Sequence, residues 1–144
     1  MIGMEILKPV VVLMAWTMVM WAWMYATRIP AMRAAKLDPN KLVNDPEVTL
    51  DRALPPHVQW KAHNYNHLHE APTVFYAVAI VLAIIGQGDG FNAWLGWIYV
   101  ASRIVHSLVQ ATVNAVMVRF VVFAVSSLLL AALIVHALMA LFQA

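Results

Sequence analysis

Residues 10–27, "VVVLMAWTMVMWAWMYAT", hold no charged side chain over eighteen positions, and this run limits the fold more than any other feature. As α-helix it rises about 27 Å, close to the roughly 30 Å hydrocarbon core of a bilayer. Lipid offers no hydrogen-bond partners, so a segment like this must satisfy its own backbone groups, and a helix does so. The run is longer than a usual signal-peptide core and ends in the basic, proline-broken "YATRIPAMR", so it reads as a retained span.

The rest of the chain agrees. Of 144 residues, 63% are hydrophobic and 11% charged, whereas soluble domains are about 45–50% apolar. Three further helical stretches follow, and the expected architecture is all-α: an integral membrane four-helix bundle in one domain covering 1–144, with spans at about 9–27, 58–86, 91–114 and 118–142. Pro56 suits a helix start, where its missing N–H costs nothing. Pro72 falls inside the second span and predicts a kink. The segment "LDPNKLVNDPEVTLDRALPPH" reads as a surface loop with no helix of its own. Trp16, Trp21, Trp23, Trp94 and Trp97 read as interfacial belts.

Charge sets an expected orientation. Arg28, Arg33, Lys36, Lys41, Arg52 and Lys61, six of the nine Lys and Arg residues, lie between the first two spans, while "GQGDG" at 86–90 has none. The positive-inside rule places the first loop in the cytoplasm and, with four spans, both termini on the opposite side. The net charge is +2 and no basic stripe interleaves with aromatics, so nucleic acid is not an expected partner. The absence of cysteine excludes a disulfide framework and a cysteine nucleophile, so any thiol chemistry must use a thiol carried by a ligand.

Two polar stripes run into this apolar background. His63, Asn66, His67 and Glu70 share one face of the second helix at about 100° per residue, with Asn64 and His69 turned away; Arg103, His106, Gln110 and Asn114 share a face of the third. A central membrane arginine costs about 2.5–3.5 kcal/mol on insertion scales and turns to the bundle interior. Glu70 is its natural partner, which predicts a Glu70–Arg103 contact within or between subunits; the same pair could simply hold helices together. Arg119 opens the fourth span, either as a snorkelling anchor or facing an anion or thiolate. His63, His67 and Glu70 also have a spacing that zinc or iron could accept. However, the zinc-protease pattern H-E-x-x-H is missing, and His106 and His136 are isolated, so no metal is expected.

"AHNYNHLHEAPTVFYA", "WIYVASRIVHSLVQATVN" and "VRFVVFAVSSLLL" together resemble the MAPEG family, membrane-associated proteins in eicosanoid and glutathione metabolism. The resemblance implies a left-handed four-helix bundle assembled as a homotrimer, with glutathione as cosubstrate between subunits near the cytoplasmic surface of the inner (plasma) membrane. Carried over position by position, it assigns Arg119 to thiol activation and Glu70, Arg103 and His106 to the glutathione site; His63, Asn66 and His67, on the same helical face as Glu70, are expected to line that site with it. Three departures stand out: His67 where an asparagine is expected, Gln110 where a tyrosine is frequent, and Phe123, four residues after Arg119, where a tyrosine is common.

The function implied is a membrane glutathione transferase or glutathione-dependent peroxidase acting on lipophilic electrophiles or hydroperoxides delivered from the lipid bilayer. The alternatives are a non-catalytic scaffold or accessory subunit that keeps the fold, and a metal-binding protein using His63, His67 and Glu70.

Overall fold

A computed structural model describes residues 1–143. These form seven helices: α1 (Leu7–Ala34), α2 (Pro39–Asn44), α3 (Leu50–Ala53), α4 (Pro56–His67), α5 (Ala71–Ile84), α6 (Phe91–Thr112) and α7 (Val116–Phe142). Among the described residues there is no strand.

Helix α1 continues through Pro30, beyond the end expected at Thr27. Proline at 30 removes the hydrogen bond to the Ala26 carbonyl, but both residues lie on the exposed side of the helix. One turn earlier, the Thr27 hydroxyl donates to the carbonyls of Trp23 and Met24, each at 3.1 Å. The helix stops where Lys36 takes φ 52° and the Leu37 amide reaches back to the Met32 carbonyl at 3.1 Å, a left-handed C-terminal cap.

The segment expected to be pure loop holds two short helices. Asp38 accepts a hydrogen bond from the Asn40 amide at 2.9 Å, with Pro39 at the first helical position; the dipeptide that reads as a breaker is here an N-cap followed by N1. The segment is held against α4 by Asp51, 3.2 Å from His63 Nε2, and by the Gln59 side-chain amide donating to the Leu50 carbonyl.

The Pro72 kink is in fact a break. Helix α4 ends at His67, Glu70 has φ −94° and ψ −104°, and α5 starts at Ala71 with Pro72 in its first turn. In a continuous helix the Pro72 ring would collide with the Leu68 carbonyl; interrupting the chain over Leu68–Glu70 avoids that collision and turns Glu70 independently of α4.

Helix α6 packs against α1, α4 and α7. Its inward face carries Leu95, Tyr99 and Val100 but also Arg103, His106, Ser107 and Gln110, all buried. Tyr99 stacks on Phe75 of α5 with ring centroids 4.4 Å apart. Around this stack, Leu13 and Met20 of α1, Leu82 of α5 and Leu133 of α7 are fully enclosed. Asn64, expected to face away, is 1% exposed and donates to the Ser107 hydroxyl, which also accepts the Trp16 indole N–H at 2.9 Å. Trp16 is therefore a bundle-facing residue rather than part of an interfacial belt, whereas Trp21, Trp94 and Trp97 are exposed.

Three helical stretches are long and apolar enough to cross a membrane: Leu7–Ala34, Pro56–Ile84 and Val116–Phe142. The chain is an integral membrane protein. Helix α6 has the length, about 33 Å over its 22 residues at 1.5 Å each, but its inward polar face lowers its average hydropathy.

Near the 86–90 turn the chain's first residues cover the bundle. The Gly3 amide donates to the Ala83 carbonyl and the Ile6 amide to the Gly88 carbonyl, both at 2.9 Å, and the Glu5 amide donates to the Asp89 carboxylate. Any Cβ at Gly88 would run into the Gly3 carbonyl oxygen. Gly88→Ala should therefore lower stability by about 1–3 kcal/mol, the usual cost of overpacking, read as a lower thermal midpoint in detergent. An unchanged midpoint would mean that the N-terminal residues do not sit on this turn.

Candidate functional site

Where α6 turns into α7, the break between α4 and α5 faces them across a cavity of about 330 Å³, lined by His67, Glu70, Ala71, Arg103, His106, Val116, Arg119, Phe120 and Phe123. Each polar residue reaches it for a local reason. His67 is the last residue of α4 and lines the cavity from that helix end, while Glu70, the N-cap of α5, is directed into it by the backbone break. Arg103 and His106 are three residues apart on the buried face of α6. Arg119 lies in the first turn of α7.

Helix α6 ends without glycine or proline because Asn114 adopts φ 51°, a left-handed conformation that asparagine tolerates better than most residues. Its amide reaches back to the Val109 carbonyl at 2.7 Å, and its side-chain oxygen accepts a hydrogen bond from Arg119 Nη1 at 2.6 Å. Asn114 is therefore not a fourth member of the α6 stripe. It forms the junction and orients the arginine of the next helix.

The cavity has an excess of positive charge. Two guanidiniums, Arg103 and Arg119, face one carboxylate, Glu70. Arg103 is only 2% exposed, and its Nε and Nη1 have no hydrogen-bond partner; Arg119 Nε and His106 Nδ1 are likewise buried without partners. The first turn of α7, the positive end of its helix dipole, adds to the same field. Buried donors left in this state favour an anionic ligand that accepts from them. Phe120, Phe123, Val116 and Ala71 form an apolar wall beside these groups.

Among the described residues, Glu70 does not meet Arg103 directly. Its carboxylate instead lies 3.1 Å from His67 Nδ1, and the His67 and His106 rings face each other edge to face with centroids 6.5 Å apart. Phe123 lies at the same centroid distance from His106. Gln110 is buried one turn further along α6, with its carbonyl oxygen unpaired.

The helical stripe expected to act as one face is split. His67 and Glu70 enter the cationic cavity, whereas His63 and Asn66 line a separate cavity of about 670 Å³ with Met24, Arg28 and the 39–51 segment. The break at Leu68–Glu70 redirects only Glu70. His63, Asn66 and His67 all lie on the continuous α4, and they divide because Asn66 and His67 are about 100° apart around the helix and the 39–51 segment packs beside His63 and Asn66. His63, His67 and Glu70 consequently do not converge, and no cluster of three or more His, Asp or Glu residues suited to a metal occurs among the described residues.

The MAPEG family model matches residues 6–139. The chain belongs to the MAPEG family. All five polar residues of the cationic cavity lie inside the matched MAPEG segment. Among curated proteins, none matches the chain.

Proposed function

We propose that this MAPEG protein binds glutathione, or a related thiol, in the cationic cavity and transfers it to lipophilic electrophiles, or uses it to reduce hydroperoxides, that enter from the bilayer. The observation carrying this reading is the pairing of partnerless buried guanidinium donors on Arg103 and Arg119 with an apolar wall in one cavity. Members of the family generally use glutathione. Its two carboxylates suit Arg103 and the neighbouring imidazoles, and its ammonium suits Glu70. At about 330 Å³, the cavity lies at the small end of the range for ligand sites.

Bound glutathione supplies a thiol nucleophile. Arg119 lowers the cost of the thiolate by placing a fixed positive charge beside it. Asn114 holds that guanidinium in place, Arg103 and His106 hold the anionic ends of the ligand, and the Phe120–Phe123 wall accepts the apolar acceptor and excludes water.

In the same reading α6 is a fourth span. Its outward residues Trp94, Trp97, Val105 and Leu108 are apolar and exposed, and its polar face is turned into the protein. The chain is then one four-span domain, placed in the inner membrane with its first loop cytoplasmic. A homotrimer is supported by the incomplete site: the Glu70 side chain is 65% exposed and the cavity opens on the outer surface of the chain. His63 and Asn66, in the neighbouring cavity, are proposed to reach ligand from the other side of such an interface.

The test is the thermal midpoint of the detergent-purified protein with and without glutathione. A rise that grows with ligand concentration supports the site; no rise, together with no glutathione-dependent turnover of an aryl halide or lipid hydroperoxide, would leave a membrane scaffold. A second variant examines the geometry. Asn114→Gly keeps the left-handed turn but removes the oxygen that holds Arg119, so stability should change little while turnover falls about tenfold to a hundredfold, matching about 1.5–3 kcal/mol for a hydrogen bond to a charged group.

A further inference from the structure

We propose that His67 and Glu70 form a general-base dyad that takes the thiol proton, an inference that rests on the thiol-binding reading above. His67 Nδ1 lies 3.1 Å from Glu70 Oε2. A carboxylate only accepts hydrogen bonds, so Nδ1 is the donor in this contact, and in the neutral ring Nε2 keeps its lone pair. His67 lines the same cavity as Arg119 and Arg103, so this lone pair belongs to a ring at the site where the thiol would lose its proton. A carboxylate behind a histidine fixes its tautomer and stabilises the imidazolium, as in other acid–base dyads.

The step balances without any further reactant. The S–H bond breaks, its electron pair stays on sulfur as thiolate beside Arg119, and the proton forms an N–H bond at His67 Nε2. The His67 and Glu70 side chains are 38% and 65% exposed, so the proton has a short route to solvent. The groups facing His67 are Glu70 from the start of α5, Arg103 and His106 from α6, and Arg119 from α7. The two arginines oppose a lone imidazolium, but they also stabilise the thiolate, and the imidazolium–thiolate pair adds no net charge to the cavity. His106 is the less suitable acceptor, because it is 5% exposed and has no carboxylate behind it. An asparagine, the residue the family resemblance expects at position 67, cannot accept a proton, so the base depends on the histidine at this position.

Two measurements on the full-length protein in detergent test it. The first follows the ultraviolet absorbance of bound thiolate after mixing with glutathione, across pH, for wild type, His67→Asn and Glu70→Gln. His67→Asn should form thiolate about a hundredfold more slowly at neutral pH, the lower range for a general base. The deficit should disappear above about pH 8.5, where a thiol ionises unaided. Glu70→Gln should show a smaller loss of the same shape, the three proteins being compared at equal glutathione occupancy. The second reads the His67 ring nitrogens by NMR in selectively labelled protein, where Nδ1–H is expected in wild type. A deficit in His67→Asn that is equal at every pH, or an Nε2–H tautomer, would make His67 a ligand-holding residue and overturn the dyad while leaving the thiol site standing. Failure of wild type itself to bind glutathione would instead remove the thiol-binding reading and the dyad with it.

Discussion

Arg119→Ala is expected to lower the glutathione-dependent rate by about 10²- to 10³-fold, the range found when one preorganised donor to a developing oxyanion is removed. The effect should fall on kcat, because only the thiolate fraction of bound glutathione reacts and Arg119 is the charge that favours that fraction. Arg119→Lys should recover part of the rate: the charge returns, but the forked geometry that allows one Nη to hold Asn114 while the rest faces the cavity does not. A snorkelling anchor would behave differently. As a bare surface charge, Arg119 could be replaced by lysine with full recovery, and by alanine with a change in membrane insertion rather than in kcat.

The second large effect concerns Arg103. Its guanidinium is 2% exposed, and its Nε and Nη1 have no partner. A buried charge without compensation destabilises the state that contains it, and replacing such groups with apolar ones of similar volume is often neutral or stabilising by about 1–4 kcal/mol. Arg103→Met should therefore leave the ligand-free thermal midpoint unchanged or raise it. The same substitution should abolish most of the glutathione-induced rise and weaken binding by about tenfold to a hundredfold, the cost of charge-assisted hydrogen bonds worth about 1.5–3 kcal/mol. The opposite result, a protein that loses assembly and stability with Arg103→Met, would mean that a carboxylate from another subunit already pairs with this arginine and that the pair holds helices together.

How far the residues alone could lead depended on whether the helices stay unbroken. On α6 they do, from Phe91 to Thr112, and the three- and seven-residue spacings from Arg103 to His106 and Gln110 mark one face that the structure buries. The same arithmetic failed at Asn114, where a left-handed residue ends the helix. Neither glycine nor proline marks that end; the available signal was an asparagine, which tolerates positive φ. On the second helix it failed at Leu68–Glu70, since one proline at 72 can produce either a kink or a break and only tertiary packing decides between them. That break redirects Glu70 alone; His63 and Asn66 part from His67 along the continuous α4 because the 39–51 segment packs beside them, a contact that spacing on one helix does not contain. Asn64 was misplaced for a different reason. Spacing identifies which residues share a face but not which face turns inward, and the Asn64–Ser107–Trp16 hydrogen bonds are contacts between α4, α6 and α1 that no single-helix pattern contains. The Asp38–Pro39 start of α2 could have been read as an N-cap followed by proline at N1; the density of prolines around it concealed the cap.

In the proposed function, the cavity between the α4–α5 break and the α6–α7 junction makes a bound thiol ionise at neutral pH. The most direct measurement is the ultraviolet absorbance of the glutathione thiolate in equilibrium mixtures with the detergent-purified protein, compared between wild type and Arg119→Ala at equal glutathione occupancy. A thiolate signal that saturates with glutathione is expected in wild type, and its loss is expected in Arg119→Ala. Bound glutathione that remains a thiol in wild type, or an equal thiolate signal in both proteins, would contradict it.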